Sequence, residues 1–310
     1  MNEYLGIDIG GTKIAVSLGN GEGHIEESIK FSTMPTPEEN IKKIISTSKA
    51  IISQHNANIS AFGISCGGPL DSKKGLILSP PHLKGWNNIP ITNILTKEFN
   101  VPVYLQNDAN ACALAEWNWG NAKGKDDAIF ITFGTGFGAG LILDGKLYEG
   151  TSGMAGEIGH VRISKEGPLC YGKEGSVESF CSGAGIALLY EQMYGEHLTA
   201  KEICARAYTQ DEKARKVIET SAKKLGLALS ILMDLFNPQC IILGSIYTRD
   251  MLLFRDIALR VVKEEALAQC ANVCEILPSA LGEDLGDIAA LGVAKSFYEK
   301  ATHKEHKTHK

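Results

Sequence analysis

Leu5-Gly6-Ile7-Asp8-Ile9-Gly10-Gly11-Thr12-Lys13-Ile14-Ala15-Val16 is an apolar run, a glycine turn and a second apolar run, which reads as strand, tight turn, strand. The pattern returns at Ile129–Leu143, IFITFGTGFGAGLIL, with Gly134-Thr135-Gly136 at the turn. Glycine suits such turns because backbone amides approach a polyanion closely only where no Cβ intervenes, and positive φ costs glycine little. Each hairpin alone is also what an ordinary glycine turn looks like. Together, with Asp8 and Thr12 in one and Thr135 in the other, they predict two domains gripping one nucleotide. Other glycine-rich loops do not match: GxxxxGK[ST] is missing, and Gly134–Gly140 runs at once into apolar Leu141–Leu143 instead of opening a helix.

The chain of 310 residues has room for two domains, and 44% hydrophobic residues is ordinary for a globular protein. A net charge of −5 with scattered lysines makes no basic stripe, which argues against nucleic acid as a partner. No apolar run approaches a membrane span, and the first strand begins close to Met1. The expectation is a cytoplasmic protein with neither membrane contact nor signal peptide. Cys66, Cys112, Cys170, Cys181, Cys204, Cys240, Cys270 and Cys274 sit mostly in apolar segments without paired spacing, as reduced thiols do.

Strands and helices alternate in the first part: the hairpin Leu5–Leu18, a strand at Ile25–Phe31, a helix over Pro37–Gln54 and a strand at Ile59–Ser65. Ile41, Ile44, Ile45 and Ile51 face inward on that helix. From Cys66 to Pro90, Pro69, Pro80, Pro81, Pro90, several glycines and Trp86 make a segment too irregular for an element and too apolar for a disordered linker, a composition that suits a ligand loop. A helix at Ile91–Phe99, a strand at Val101–Gln106 and a helix at Ala109–Trp117 follow. The strand group Ala128–Tyr148 opens the second domain. Beyond it come helices at Ser182–Tyr194, Thr199–Ala207 and Asp211–Phe236, a strand at Cys240–Leu243, a helix at Met251–Ala268, a strand at Ala271–Leu277 and a last helix at Asp287–Tyr298. The polar tail Ala301–Lys310, with His303, His306 and His309, reads as a frayed, disordered end.

DIGGTK at Asp8–Lys13, NDANACALAE at Asn107–Glu116, GTGFGAG at Gly134–Gly140 and GMAGEIGH at Gly153–His160, in that order, make the chain resemble the ROK-family sugar kinases, of the glucokinase and N-acetylmannosamine kinase type. The resemblance runs nearly end to end. It implies an α/β fold of two ribonuclease-H-like domains of the actin/hexokinase superfamily around a cleft, with ATP on the larger-domain side and a hexose deeper in the hinge. Residues 1–117 would form the N-terminal domain, rejoined by the last helix at about 287–300, and 118–286 the larger C-terminal domain. It further implies ATP and Mg2+ as cofactors, a sugar and a nucleotide as small-molecule partners, and a homodimer.

Transfer of a γ-phosphoryl group to a sugar hydroxyl needs a base beside the hydroxyl, a cation across the phosphates and donors for their oxygens. Asp108 is the candidate base: it follows the strand ending at Gln106, and the resemblance places the family's base there. The competing reading is that Asp108 only caps the following helix. Asp8, on a buried strand before Gly10, Gly11 and Thr12, is costly unless it faces a cation or water, so Mg2+ is expected there through water and phosphate. Thr12 and Thr135 supply hydroxyls, Gly134, Gly136 and Gly138 backbone, and Gly244 lies near the nucleotide. Lys13 adds charge or is simply a solvated lysine. On the sugar side stand Gly68, Asn107, Glu157, His160 and Glu178.

Two segments depart from the family. Its members follow the histidine with CxCGxxGCxE, three cysteines that complete a structural zinc site. Here the register reads Leu169-Cys170-Tyr171-Gly172-Lys173-Glu174-Gly175-Ser176-Val177-Glu178, so no zinc is expected and Leu169 and Tyr171 are expected to hold the segment by packing. Leu243-Gly244-Ser245-Ile246 replaces a run of two or three glycines near the adenosine. The implied activity is phosphorylation of the 6-hydroxyl of a hexose or N-acylhexosamine. Alternatives are N-acetylmannosamine kinase as the specific activity and, in another class, a non-catalytic sugar sensor.

Overall fold

The computed structural model describes residues 2–308. Its strands are β1 (Glu3–Ile9), β2 (Lys13–Asn20), β3 (Ile25–Ser32), β4 (Ile59–Cys66), β5 (Leu70–Asp71), β6 (Leu76–Ile77) and β7 (Val103–Asn107), then β8 (Ala128–Phe133), β9 (Phe137–Leu143), β10 (Lys146–Leu147), β11 (Leu169–Cys170), β12 (Lys173–Glu174), β13 (Cys240–Leu243) and β14 (Glu275–Pro278). The helices are α1 (Pro37–His55), α2 (Ile91–Phe99), α3 (Asp108–Trp119), α4 (Val177–Cys181), α5 (Gly183–Tyr194), α6 (Ala200–Tyr208), α7 (Glu212–Phe236), α8 (Ile246–Glu265), α9 (Ala268–Ala271) and α10 (Leu285–Thr308). Two compact units result: Met1–Lys123 with Glu283–Lys310, and Gly124–Gly282.

Both units carry a five-stranded mixed sheet of one topology. In the first the order is β3-β2-β1-β4-β7 and in the second β10-β9-β8-β13-β14. In each, three strands meander antiparallel and two more add in parallel on the far side. This is the ribonuclease-H-like arrangement, made twice. The inner strands are buried on both faces, β13 throughout and β4 from Ala61 to Cys66, as strands covered by helices on two sides must be.

Helix α10 returns to the first unit and packs on β1 and β4. An added Cβ at Gly6 would stand 3.0 Å from Leu291 N, and one at Gly63 would overlap Ala290 O, so these glycines let the helix lie directly on the sheet. On another part of the unit, α1 starts with a capping box between Thr36 and Glu39 and ends on Asn56 in the left-handed conformation. Ile44 and Ile51 of α1 are fully buried, with Ile41 and Ile45 packed at the margin.

Several boundaries differ from the sequence reading. The stretch Cys66–Pro90 is more ordered than its composition predicts: β5 pairs with β6, Ile77 bridges Ile89, and Leu83 and Trp86 are buried. Helix α8 begins at Ile246, not Met251, and passes through Asp250 with non-helical φ −118° and ψ 27°. The strand expected from Ala271 starts at Glu275, because Ala268–Ala271 takes one helical turn first. Helix α10 is longer than expected at both ends and runs into the tail that was expected to fray, where His309 lies outside the described residues. Among the described residues, no helix is long and apolar enough to cross a membrane.

Candidate functional site

The carboxyl ends of parallel β1, β4 and β7 stand side by side, which is where open α/β sheets place their ligands. Asp8 pairs in register with Ser65, and Ser65 with Gln106; one step further, Ile9 meets Cys66 and Cys66 meets Asn107. Thus three sequence-distant motifs, Asp8–Lys13, Cys66–Gly68 and Asn107–Asp108, share one sheet edge. Gly68 is exposed there, and a Cβ added to it would meet nothing within 4 Å.

The turn after β1 is closed by Gly10 N donating to Lys13 O at 3.0 Å, and Thr33 Oγ1 donates to Gly10 O at 2.7 Å. Gly11, Thr12 and Lys13 are exposed at its tip. A Cβ on Gly10 would lie 2.9 Å from Lys13 O and one on Gly11 2.7 Å from His82 Cβ. Neither glycine has a left-handed φ, and the same holds for Gly134 and Gly136. Close approach of neighbouring atoms, not positive φ, is therefore what requires glycine in the first turn.

Asn107 caps α3: its Oδ1 accepts from Asn110 N at 2.7 Å. The capping role considered for Asp108 thus belongs to its neighbour, and Asn107 is left to donate from Nδ2. Asp108 Oδ1 accepts from Ala109 N at 2.8 Å. The Asp108 side chain is exposed in surface area yet crowded by protein atoms. That crowding raises its carboxyl above the ordinary range, with the amides of Ala109 and Asp108 opposing. Asp8 is raised to about 6, by burial first, then by the negative charge of Asp287, with Ser65 opposing and Asp108 adding.

In the second unit the turn Gly134–Gly136 is held from three sides. Gly134 N donates to Gly136 O at 3.1 Å, Gly183 N at the start of α5 donates to Gly134 O at 2.7 Å, and Phe137 N donates to Glu178 Oε2 at 2.9 Å. Thr135 is exposed at the tip, and Gly138 pairs with Thr132 inside the hairpin. Gly244 is buried and donates to Ile131 O at 3.0 Å. Ser245 after it adopts φ 51° and ψ −113°, a conformation suited to glycine. A Cβ on Gly134 would stand 3.5 Å from Ser245 Oγ.

Glu157, His160 and Glu178 gather around Tyr171. Its phenol is pushed up first by the charge of Glu178, then by burial, with Glu157 adding, and its ring meets that of His160 edge-on at 6.2 Å. Cys170 Sγ lies 3.8 Å from Glu178 Oε1. The packing expected of Leu169 and Tyr171 is not found: they are 61% and 71% exposed. The segment is held by backbone instead. Strands β11 and β12 form a hairpin with Tyr171 at φ 50° and Gly172 at φ 72°, both positive as a two-residue turn of this kind demands. Ile163 N donates to Gly175 O at 2.8 Å, Val177 N donates to Val161 O at 2.9 Å, and Lys173 Nζ donates to His160 O. Among the described residues, no group of three or more His, Cys, Asp or Glu side chains is placed to hold a metal ion.

Three contributors carry no sequence signal for this site: Tyr171, whose aromatic ring predicts packing; Ser65, a neutral side chain; and Asp287, which reads as an ordinary helix residue. The first unit thus brings together Asp8, Gly10–Lys13, Gly68, Asn107 and Asp108, and the second brings together Gly134–Gly138, Gly244, Glu157, His160 and Glu178.

The ROK family pattern matches residues 4–296. The chain belongs to the ROK family. Among its ROK relatives, a glucokinase of Halalkalibacterium halodurans is 31% identical over 92% of this chain and 92% of the relative. An N-acetylmannosamine kinase of Escherichia coli is 34% identical over 77% and 81%, and a xylose repressor of Caldicellulosiruptor bescii 30% identical over 79% and 66%. In structure it resembles a ROK hexokinase from Thermus thermophilus, with a TM-score of 0.87, 26% identity and coverage of 96% of this chain and 99% of that one. A ROK glucokinase from Streptomyces griseus in complex with glucose and AMPPNP gives a TM-score of 0.77 at 29% identity, covering 95% and 100%.

Proposed function

We propose that the protein is an ATP-dependent sugar kinase that phosphorylates the 6-hydroxyl of a hexose or N-acylhexosamine. The observation that carries this reading is the state of Asp108. Asn107 does the capping, so the Asp108 carboxylate, at the carboxyl end of β7 and at the sheet edge it shares with Asp8, is available as a general base, and crowding holds its proton affinity above the ordinary carboxylate range. The S. griseus relative bound to glucose and AMPPNP supports the same pairing of sugar and nucleotide.

In this reading Asp108 accepts the proton of the 6-hydroxyl as its oxygen attacks the γ-phosphorus, and the leaving ADP takes the bond's electrons. Thr12 and Thr135 donate hydroxyls to phosphate oxygens beside the backbone of Gly10, Gly11, Gly134, Gly136 and Gly138, with Lys13 adding charge and Gly244 bordering the nucleotide. Asn107, Gly68, Glu157, His160 and Glu178 hold the sugar. Asp8 fits magnesium by its chemistry, a hard carboxylate whose proton affinity is raised by burial and by neighbouring Asp287 and Asp108, a repulsion that a divalent cation relieves. The chemistry a magnesium ion supplies there is neutralisation of charge across the phosphates.

N-acetylmannosamine kinase is the runner-up for the specific activity, favoured by the E. coli relative. A sugar sensor without turnover is the reading from a different class, supported by the relative named as a xylose repressor. Cytoplasmic location and a homodimer belong to the same proposal. The deciding experiment is a coupled ATP assay over glucose, N-acetylmannosamine, N-acetylglucosamine, allose and fructose, compared by kcat/KM. Sugar binding by calorimetry without ADP release on any of them would replace the kinase with the sensor.

A further inference from the structure

Asp287, in the first turn of α10, is a carboxylate with only 7% of its side chain exposed. Its Oδ2 accepts from Ser28 Oγ at 3.0 Å and lies 2.8 Å from Lys30 Nζ. Ser28 in turn accepts from Ser17 Oγ at 3.0 Å, so one polar chain runs from β2 through β3 to α10. The residue before it, Gly286, lies against Asp8: a Cβ there would stand 3.0 Å from Asp8 Oδ2. The start of α10 therefore backs directly onto the Asp8 carboxylate.

We propose that the Asp287–Lys30 pair sets the charge felt by a divalent cation at Asp8, Asp287 strengthening and Lys30 weakening its hold, while neither residue ligates it. This rests on the reading of Asp8 as the magnesium carboxylate. Asp287 Oδ2 is already engaged by Ser28 and Lys30, and no ligand group of three or more acidic, His or Cys side chains forms among the described residues. With that oxygen engaged, we assign its effect on the ion to through-space charge. Asp287 follows directly on Gly286, which lies against Asp8 Oδ2, and Lys30 reaches the Asp287 carboxylate, so both charges stand near the Asp8 site. Asp287, 7% exposed, is screened little by salt, and Lys30, 44% exposed, is screened more. A balanced pair keeps the site negative enough to take a divalent cation and weak enough to release it with the spent nucleotide.

Opposite signs test the idea. The full-length protein, saturated with a non-hydrolysable ATP analogue, is titrated with Mn2+ and the bound ion counted by electron paramagnetic resonance. Asp287→Asn keeps an acceptor for Ser28 and should weaken Mn2+ binding by roughly three- to tenfold, whereas Lys30→Met should tighten it by a smaller factor, about two- to threefold. General damage to the fold would weaken both. Lys30 is 44% exposed, so its variant reports even if Asp287→Asn folds poorly. Asp8→Asn separates the two levels. If it leaves Mn2+ binding unchanged, the magnesium reading fails and this inference with it. If it weakens binding while the other two variants shift together or not at all, the inference alone is overturned.

Discussion

The carboxylate of Glu178 accepts the backbone N–H of Phe137 at 2.9 Å, so a residue proposed to hold the sugar also fixes the end of the glycine turn proposed to hold phosphate. Glu178→Gln keeps an acceptor but not the charge. It is expected to shift stability by less than about 1 kcal/mol while raising the sugar KM, whereas Glu178→Ala leaves the amide unpaired and costs about 1–3 kcal/mol. Thermal denaturation beside sugar titration checks both; equal melting temperatures for the two variants would count against the anchor.

Asp108→Asn should lower kcat by about 10²- to 10⁴-fold with sugar affinity nearly kept, since an amide bonds a hydroxyl but cannot take its proton. Calorimetry and single-turnover assays separate the two effects. A variant with wild-type turnover would remove Asp108 from the base role.

How far the site was legible depended on what each residue's signal was. The glycine turns announced themselves because apolar runs and glycine are local features, and NDAN marked a strand end followed by a helix. Leu169 and Tyr171 misled because an apolar side chain says nothing about whether a partner surface exists; the backbone hairpin that replaces packing depends on Tyr171 accepting positive φ, a property sequence seldom reveals. Asp287 was illegible for another reason: Ser28, its hydrogen-bond partner, lies 259 residues away in the chain, and no periodicity links them. Helix α4, five residues long, is too short for a helical repeat to show.

Burial and like charge lift Asp8 from an ordinary 3.8 to about 6, so the folded protein favours its protonated form. The stability this brings is complete below pH 4 and is lost as pH rises through 6. At pH 7.5, Asp8→Asn is therefore expected to stabilise the ligand-free protein by about 1–2 kcal/mol, less than the full shift because the side chain is partly solvated. Melting curves from pH 4 to pH 8 should show the gain vanish toward the acidic end. A constant difference across that range would contradict it.

Ser245 holds φ 51° and ψ −113° without a side-chain cap to α8. Relief of that strain should let Ser245→Gly gain about 0.5–2 kcal/mol after glycine's entropic cost. Chemical denaturation measures it, and a destabilised variant would show that the serine hydroxyl carries more than the backbone strain.

The hairpin of β11 and β12 gives a prediction about metal. With Leu169, Tyr171 and Ser176 where the resemblance places three zinc cysteines, chelation is expected to leave melting temperature and activity unchanged once magnesium is restored. Stoichiometric zinc by elemental analysis, lost together with activity, would demand a site built from Cys170, Cys181 and His160.

Helix α10 covers Gly6 and Gly63, and it is translated only after the whole of Gly124–Gly282. A nascent chain therefore carries β1 and β4 for a long time with bare glycine where their cover belongs. The second unit is one unbroken stretch and can mature as soon as it leaves the ribosome. Order of synthesis and order of completion are reversed: the half begun first is the half finished last, and a chaperone waiting on this protein has the first half to guard.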